Sequence, residues 1–333
     1  MSRYASAHEN PSGPGDARPT ALQVIHDEGL EGKMSDKVFL ITGCSSGIGT
    51  ETARAIAATG ARVFVAVRNM AKGQEACKDF ISPGRVELLE LDTSSMQSVR
   101  AAAATFLTKS PTLNVLICNA GVMMLPERQE SPDGFEMQLA TNYLGHWLLF
   151  WLLKDAMLAA AASTSAFQSR VVNVSSSGHH GSEIQFDDFN LEEEGAYAPA
   201  KAYAQSKLAQ IYMANYLERH YADKGFHALS LMPGGIFTNL QQHVPQSTMD
   251  GWMADPKVLN IIKSAEQGAA TTVVAAVSAE WEGRGGKYLD DCKEAITETV
   301  PWTSGAMDYA FDEAKETRLW ELTLRILGVD SAA

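Results

Sequence analysis

Tyr203 and Lys207 stand four residues apart at the head of an apolar-periodic run, Ala202-Tyr203-Ala204-Gln205-Ser206-Lys207-Leu208. That spacing is just over one helical turn, so phenol and ammonium would leave one helix face and could act together. An isolated phenol titrates at about pH 10, too high for acid–base work at neutral pH. A nearby cation favours the phenolate and is expected to lower that value. A second pair with the same spacing, Tyr197 and Lys201, encloses Pro199. Proline lacks the N–H of a helical turn and its ring clashes with the turn before it. It is welcome in the first turn, so Pro199 is expected to precede or open the helix that carries Tyr203. Tyr197 then falls in the loop over the substrate.

A second stretch could hold a phosphate. Residues 38–42, Val-Phe-Leu-Ile-Thr, form a continuous apolar run, as in a strand buried on both faces of a parallel sheet. Gly43-Cys44-Ser45-Ser46-Gly47-Ile48-Gly49 follows, then a helical period closed by Gly60 and a second strand over 61–67. Glycines at such a turn let the backbone approach a pyrophosphate, and the helix N-terminus offers it unpaired N–H groups. The bland alternative is a tight strand–helix turn. At the end of the second strand, where NAD sites carry an acid, stands Val67, followed by Arg68. No carboxylate there repels a 2′-phosphate, and a guanidinium can pair with one, which favours NADP(H). Ser46 and Asn69 could add hydrogen bonds.

These groups need elements to position them. Further strands are expected at 86–91, 114–118, 170–174, 226–232 and 287–289, and helices at 94–107, 135–162, 202–221 and 265–278. Strict alternation implies an α/β fold, a single-domain Rossmann-type doubly wound parallel sheet of about seven strands with helices on both faces. The Pro/Gly/Ser-rich front suggests an N-terminal extension over 1–35, partly mobile, with a short helix at 21–30. The catalytic domain then covers 36–290. A C-terminal extension, 291–333, carries an amphipathic helix at 312–327 packed on the same domain.

Five motifs appear in the order of the short-chain dehydrogenases/reductases: Thr42-Gly43-(x)3-Gly47-Ile48-Gly49, Asn119-Ala120-Gly121, Ser176, Tyr203-(x)3-Lys207 and Pro233-Gly234. The chain resembles that family over about residues 36–290, and its retinol dehydrogenase-like branch in particular. The branch likeness rests on Arg68-Asn69-Met70-Ala71-Lys72-Gly73, Asn142-Tyr143-Leu144-Gly145-His146 and the long insertion between Ser176 and Tyr203. The polar front differs from the apolar anchor that membrane-bound members often carry.

The resemblance implies a mechanism. Tyr203 would exchange a proton with the substrate oxygen, Lys207 would tune Tyr203 and hold the nicotinamide ribose, and Ser176 would stabilise the developing alkoxide. Asn142 would hold a water that relays protons to Lys207. Ser175 and Ser177 compete with Ser176, which the motif position favours. Cofactor contacts would come from Gly43, Ser45, Ser46, Gly47, Ile48, Gly49, Arg68, Asn69, Asp92, Asn119, Ala120, Gly121, Tyr203, Lys207, Pro233, Gly234, Ile236 and Thr238. The expected activity is NADP(H)-dependent interconversion of a hydrophobic alcohol and its carbonyl. The alternatives are enone reduction, a non-redox use of the bound cofactor, or a non-catalytic NADP-binding regulatory protein.

Composition narrows the partners. A net charge of −13 argues against nucleic acid. The longest apolar stretch, 147–153, is too short to span a bilayer, and no signal segment is visible. Four cysteines without CxxC spacing suggest a reduced, cytoplasmic setting. His146, His179 and His180 lack metal-site spacing and are expected as core or loop residues, with no metal. Ile236, Phe237, Leu240, Met249, Trp252 and Met253 are expected to close an apolar substrate pocket or to form a helical lid packed on the core. Helices 135–162 and 202–221 could pair across a homodimer or be covered by the terminal extensions.

Overall fold

The computed structural model describes residues 2–163, 167–296 and 303–329. In chain order the first half holds α1 (Ala21–Asp27), β1 (Val38–Thr42), α2 (Gly47–Ala58), β2 (Arg62–Val67), α3 (Met70–Cys77), β3 (Val86–Glu90) and α4 (Met96–Lys109). Then come β4 (Val115–Cys118), α5 (Met137–Leu139), α6 (Gly145–Ser163), β5 (Ser169–Val174), α7 (Pro199–Tyr221) and β6 (Phe226–Leu231). Four helices follow: α8 (Gln246–Ala254), α9 (Pro256–Ile261), α10 (Ala265–Gly268) and α11 (Ala270–Val277). The chain closes with β7 (Lys287–Asp290), β8 (Lys293–Glu294) and α12 (Glu313–Ile326).

The strands form one sheet in the order β3-β2-β1-β4-β5-β6-β7-β8. The first seven are parallel and β8 runs antiparallel on the edge, a two-residue strand beyond the seven expected. Every residue of β1, β4, β5 and β6 is buried, because helices cover both faces. Alternate residues go to opposite cores. Leu40, Phe64, Leu116 and Val171 meet α4, α6, α7 and α12, while Phe39, Ile41, Val63, Ile117 and Val172 meet α1, α2 and α11. Strand order reverses between β1 and β4, so their carboxyl ends leave a crevice at the switch point, where open α/β sheets bind ligands.

Local structure explains the rest. Pro199 occupies the first turn of α7, which puts Tyr203 and Lys207 on the same face as expected. The long apolar helix expected from 135 is interrupted by a π-helical turn over Ala140–Leu144, a distortion common at functional sites. Met137–Ser163 is long and apolar enough to cross a membrane, but two thirds (67%) of its apolar window is buried inside the fold.

Both extensions lie against the body. The front, expected to be partly mobile, contributes Tyr4, Val24, Ile25 and Met34 to a core, because α1 supplies an apolar face despite the polar stretch before it. Of the C-terminal extension, 297–302 and 330–333 lie outside the described residues. Its α12 packs on α6 and α7: Trp320 stacks on Tyr216 at 4.2 Å between ring centroids and meets Trp147 at 4.9 Å. Asn215 donates to Glu316, which Arg219 also contacts. Truncating Trp320 to alanine should therefore cost about 3–5 kcal/mol, as for other buried aromatics. Urea unfolding of Trp320→Ala measures this; an unchanged midpoint would mean that α12 is not part of the packed core.

Candidate active site

The crevice is a cleft of about 430 Å³ at the carboxyl ends of β1, β4 and β5. Its wall begins with the glycine turn. Gly43 has φ +76° and packs so closely on Ala120 that a Cβ would lie 2.7 Å from the Ala120 Cα. At Gly49 a Cβ would lie 2.3 Å from the Gly43 carbonyl oxygen. Any larger residue would push the turn off the β4 loop. The free end of α2 faces this cleft, with Gly47, Ile48 and Gly49 on its wall.

Thr42 ties the two sides together. Its Oγ1 accepts from the Asn119 and Ala120 N–H groups, both at 2.9 Å. His146 Nε2 lies 2.8 Å from the same oxygen, and its Nδ1 lies 2.9 Å from the Asn142 carbonyl. A carbonyl can only accept, so the proton sits on Nδ1 and the Thr42 hydroxyl donates to Nε2. Burial pushes the His146 pKa down to about 4, the Asn142 contact opposing it, so the imidazole stays neutral. His179 repeats the arrangement. Its Nδ1 donates to the Ser176 carbonyl at 2.6 Å and its Nε2 accepts from the Met307 N–H at 3.3 Å. Burial again lowers the pKa to about 4. Each fits the core-or-loop role expected of it, and each also braces a site residue.

The groups expected to do acid–base work converge beside these braces. Gly178 packs against both Tyr203 and Ser176, since a Cβ there would lie 2.6 Å from Tyr203 Cε1 and 3.2 Å from Ser176 Oγ. The Gly178 N–H donates to Ser176 Oγ at 2.9 Å. The Ser175 hydroxyl instead donates to the Lys207 carbonyl at 2.7 Å, which removes one competitor for the reacting position. Lys207 Nζ lies 5.7 Å from the Tyr203 ring centre and donates to the Val174 carbonyl and Gln210 Oε1. Burial pushes Tyr203 up to about 12, the Ser176 contact pulling down, and pushes Lys207 down to about 7. Desolvation penalises phenolate and ammonium alike.

Of the expected site residues, all but two line the cleft. Asn69 caps α3, its Oδ1 accepting from the Lys72 N–H at 2.9 Å. Asn142 is wholly buried behind the wall, exchanging hydrogen bonds with Val122 and donating to Ser206 Oγ. Asp92 lines the wall with its Oδ1 already engaged by the Ser94 N–H and hydroxyl. Tyr197 braces a loop by donating to the Leu125 carbonyl at 2.7 Å. Sequence reasoning missed Lys72, which lines the cleft with Arg68; the Arg-(x)3-Lys spacing was the available signal. It also missed the Thr42 hydroxyl as a tie, although Thr42 opens the glycine motif. Val122, Met123, Ile236 and Leu240 are among the apolar residues of the wall. Phe237, Met249, Trp252 and Met253 are not on it, and α8 buries no residue at all. Among the described residues no group of three His, Cys, Asp or Glu could hold a metal ion.

Comparison with known proteins identifies the family. Residues 37–187 match the family model described as short chain dehydrogenase. The chain is 52% identical to the short-chain dehydrogenase/reductase prx1 of Penicillium roqueforti, over 98% of this chain and 95% of that protein. It is 35% identical to retinol dehydrogenase 12 of Homo sapiens, over 89% of this chain and 88% of that one. Among solved structures, an uncharacterised protein from Mycobacterium paratuberculosis superimposes with a TM-score of 0.66 at 30% identity, covering 88% of this chain and 94% of that one.

The two neutral imidazoles generate a pH prediction. In the unfolded chain each binds a proton below about pH 6.5, whereas in the fold each waits until about pH 4. The unfolded state therefore binds more protons in that window, so their contribution to stability is full above it and is lost as pH falls through it. The urea midpoint should drop between neutral and mildly acid pH, and drop less in His146→Gln. Equal drops in the two proteins would show that His146 is not held neutral.

Proposed function

Because the chain belongs to the short-chain dehydrogenase/reductase family, in its retinol dehydrogenase-like branch, we propose that it is an NADP(H)-dependent oxidoreductase interconverting an apolar alcohol and its ketone or aldehyde. The observation that carries this reading is that Ser176, Tyr203 and Lys207 share one cleft with the glycine turn. The cleft fits a dinucleotide. Its glycines leave no room for side chains at the turn, and the buried Asn119 Oδ1 has no protein partner beside it. The turn and the free end of α2 would take the pyrophosphate. Arg68 and Lys72 would take a 2′-phosphate, with no carboxylate at Val67 to oppose it. Asp92 would meet the adenine side, and Asn119, Ala120, Gly121, Pro233, Gly234, Ile236 and Thr238 the remainder. When bound, the nicotinamide supplies or accepts the hydride.

The chain's own residues handle the proton. Tyr203, kept as a phenol by burial, donates to the substrate oxygen in reduction. Ser176 Oγ, oriented by the Gly178 N–H, steadies that oxygen as it gains charge. Lys207 is fixed on the cleft wall by Val174 and Gln210. Asn142 holds the Val122 backbone and Ser206 in place behind it. The apolar wall of Val122, Met123, Ile236 and Leu240 suits a hydrophobic substrate, in keeping with the retinol named for one relative. The chain's acidity and the burial of its long apolar helix support a cytoplasmic enzyme without a membrane span. α12 lies on α6 and α7, so a homodimer through those faces would have to displace it, and we propose that they are not paired.

A screen of ketones, aldehydes and alcohols with NADPH and NADH tests the whole reading; cofactor binding without turnover on any of them would leave a binding protein instead. Tyr203→Phe should keep NADPH affinity and lose about 10²–10⁴-fold in kcat, the usual worth of a positioned general acid. Unchanged turnover would remove Tyr203 from the mechanism. Replacing Arg68 and Lys72 together by alanine should raise the KM for NADPH far more than that for NADH, and equal increases would overturn the assignment of the phosphate site.

A further inference from the structure

The segment between Thr238 and Lys263 leaves the cleft and returns to it. Its first turn, Asn239–His243, contributes Asn239, Leu240, Gln241 and Gln242 to the wall. That end fastens itself: Thr238 Oγ1 accepts from the Leu240 N–H, and Gln241 accepts from the Thr238 N–H and donates to the Ile236 carbonyl. The two helices beyond it bury none of their residues, and Met253 and Ile261 are exposed. Burial therefore does not hold α8 and α9 in place.

What holds the return limb comes from the opposite end of the chain. Arg18 is 4% exposed and spends its fork on main-chain carbonyls. Nη1 donates to Ile261 at 2.7 Å, and Nη2 to Ile262 at 2.7 Å and Gly13 at 3.1 Å. Nε pairs with Asp16 Oδ1 at 2.8 Å. Gln267 locks the same knot, donating to Asp16 Oδ1 at 3.0 Å and the Arg18 carbonyl at 3.1 Å while accepting from the Gly15 N–H. A buried guanidinium with one counter-charge and several carbonyl acceptors is a fixed fork, a task that a lysine cannot copy.

The knot continues into the cleft. Ile262 packs so tightly on Gly235 that a Cβ there would lie 2.9 Å from its Cδ1, and the Lys263 N–H donates to the Gly235 carbonyl at 2.8 Å. Lys263 Nζ donates to the Pro233 carbonyl at 3.1 Å and pairs with Asp291 at 2.7 Å. Pro233, Gly234 and Gly235 are wall residues. Arg18 is thus two contacts from the cleft.

We propose that Arg18 is a positioning residue of the active site: by clamping the return limb at 260–262 it fixes the segment over 239–263, whose first turn lines the cleft. The proposal rests on the functional reading above for its kinetic consequence but not for its mechanical one. The simpler alternative is that Arg18 only fastens the N-terminal segment, which has ties of its own through Tyr4 to Asp27 and Ser2 to Cys292.

Hydrogen–deuterium exchange and steady-state kinetics on the full-length Arg18→Met protein separate these. Loss of several charge-assisted bonds should speed amide exchange over 239–263 by about tenfold or more, while β1 and β5 stay unchanged. The KM for a bulky apolar ketone should rise by about tenfold, with kcat and the KM for NADPH changed by less than about twofold. Arg18→Lys, which keeps the charge and loses the fork, should show the same pattern and serves if the methionine variant does not fold. Faster exchange confined to residues 2–20, with 239–263 as in the wild type, would overturn the proposal. If the wild type reduces no carbonyl, the functional reading fails, and the exchange comparison still decides the clamp.

Discussion

At the crevice between β1 and β4 the sheet order reverses, and the Asn119 and Ala120 N–H groups just beyond β4 need an acceptor outside the strand ladder. Buried donors without partners cost about 1–3 kcal/mol each. The Thr42 hydroxyl meets that constraint by accepting from Asn119 and Ala120 while donating to His146. His146 passes the tie on to the carbonyl of Asn142, inside the π turn that opens the long central helix. The glycine turn, the β4 loop and the base of the catalytic helix layer are thereby set relative to one another. The cleft inherits its shape from this knot.

Burial is the second governing effect, and it favours the neutral form of four groups at or beside the site. It keeps Tyr203 protonated, pulls Lys207 toward neutrality and holds His146 and His179 uncharged. A neutral imidazole can give one hydrogen bond and take one, which is what both braces require; a protonated one could only give. Desolvation is the largest cause of the shift in each of these four groups. An exposed Tyr–Lys pair at the same helical spacing would behave quite differently.

The terminal extensions complete the site from outside the central domain. The segment around Met307 reaches back to His179 and so to the carbonyl of Ser176, and Tyr309 donates to the His179 carbonyl. α12 closes the apolar faces of α6 and α7 that would otherwise be open to another partner. At the opposite end Arg18 grips the limb that returns from the substrate segment. Composition made the front look mobile because it is rich in proline and glycine. The front is fastened both by the buried apolar residues Tyr4, Val24, Ile25 and Met34 and by polar contacts among Arg18, Asp16 and Gln267.

Local periodicity and fixed spacings were enough to identify the doubly wound sheet, the glycine turn and the Tyr203/Lys207 pair, because each is encoded within one or two turns of chain. Pro199 could be read against its decoy tyrosine for the same reason: a missing N–H acts where it stands. The sequence also carried the absence of an acid at Val67. Tertiary structure alone decided what lies far apart in sequence. It tied the Ser175 hydroxyl to the Lys207 carbonyl, moved Asn69 to a helix cap and set Asn142 behind the wall. It kept Met249, Trp252 and Met253 off the cleft and joined residue 18 to residue 262. No spacing records such contacts, since hydrogen bonds to backbone carbonyls depend on where the chain passes and not on which side chain it carries there.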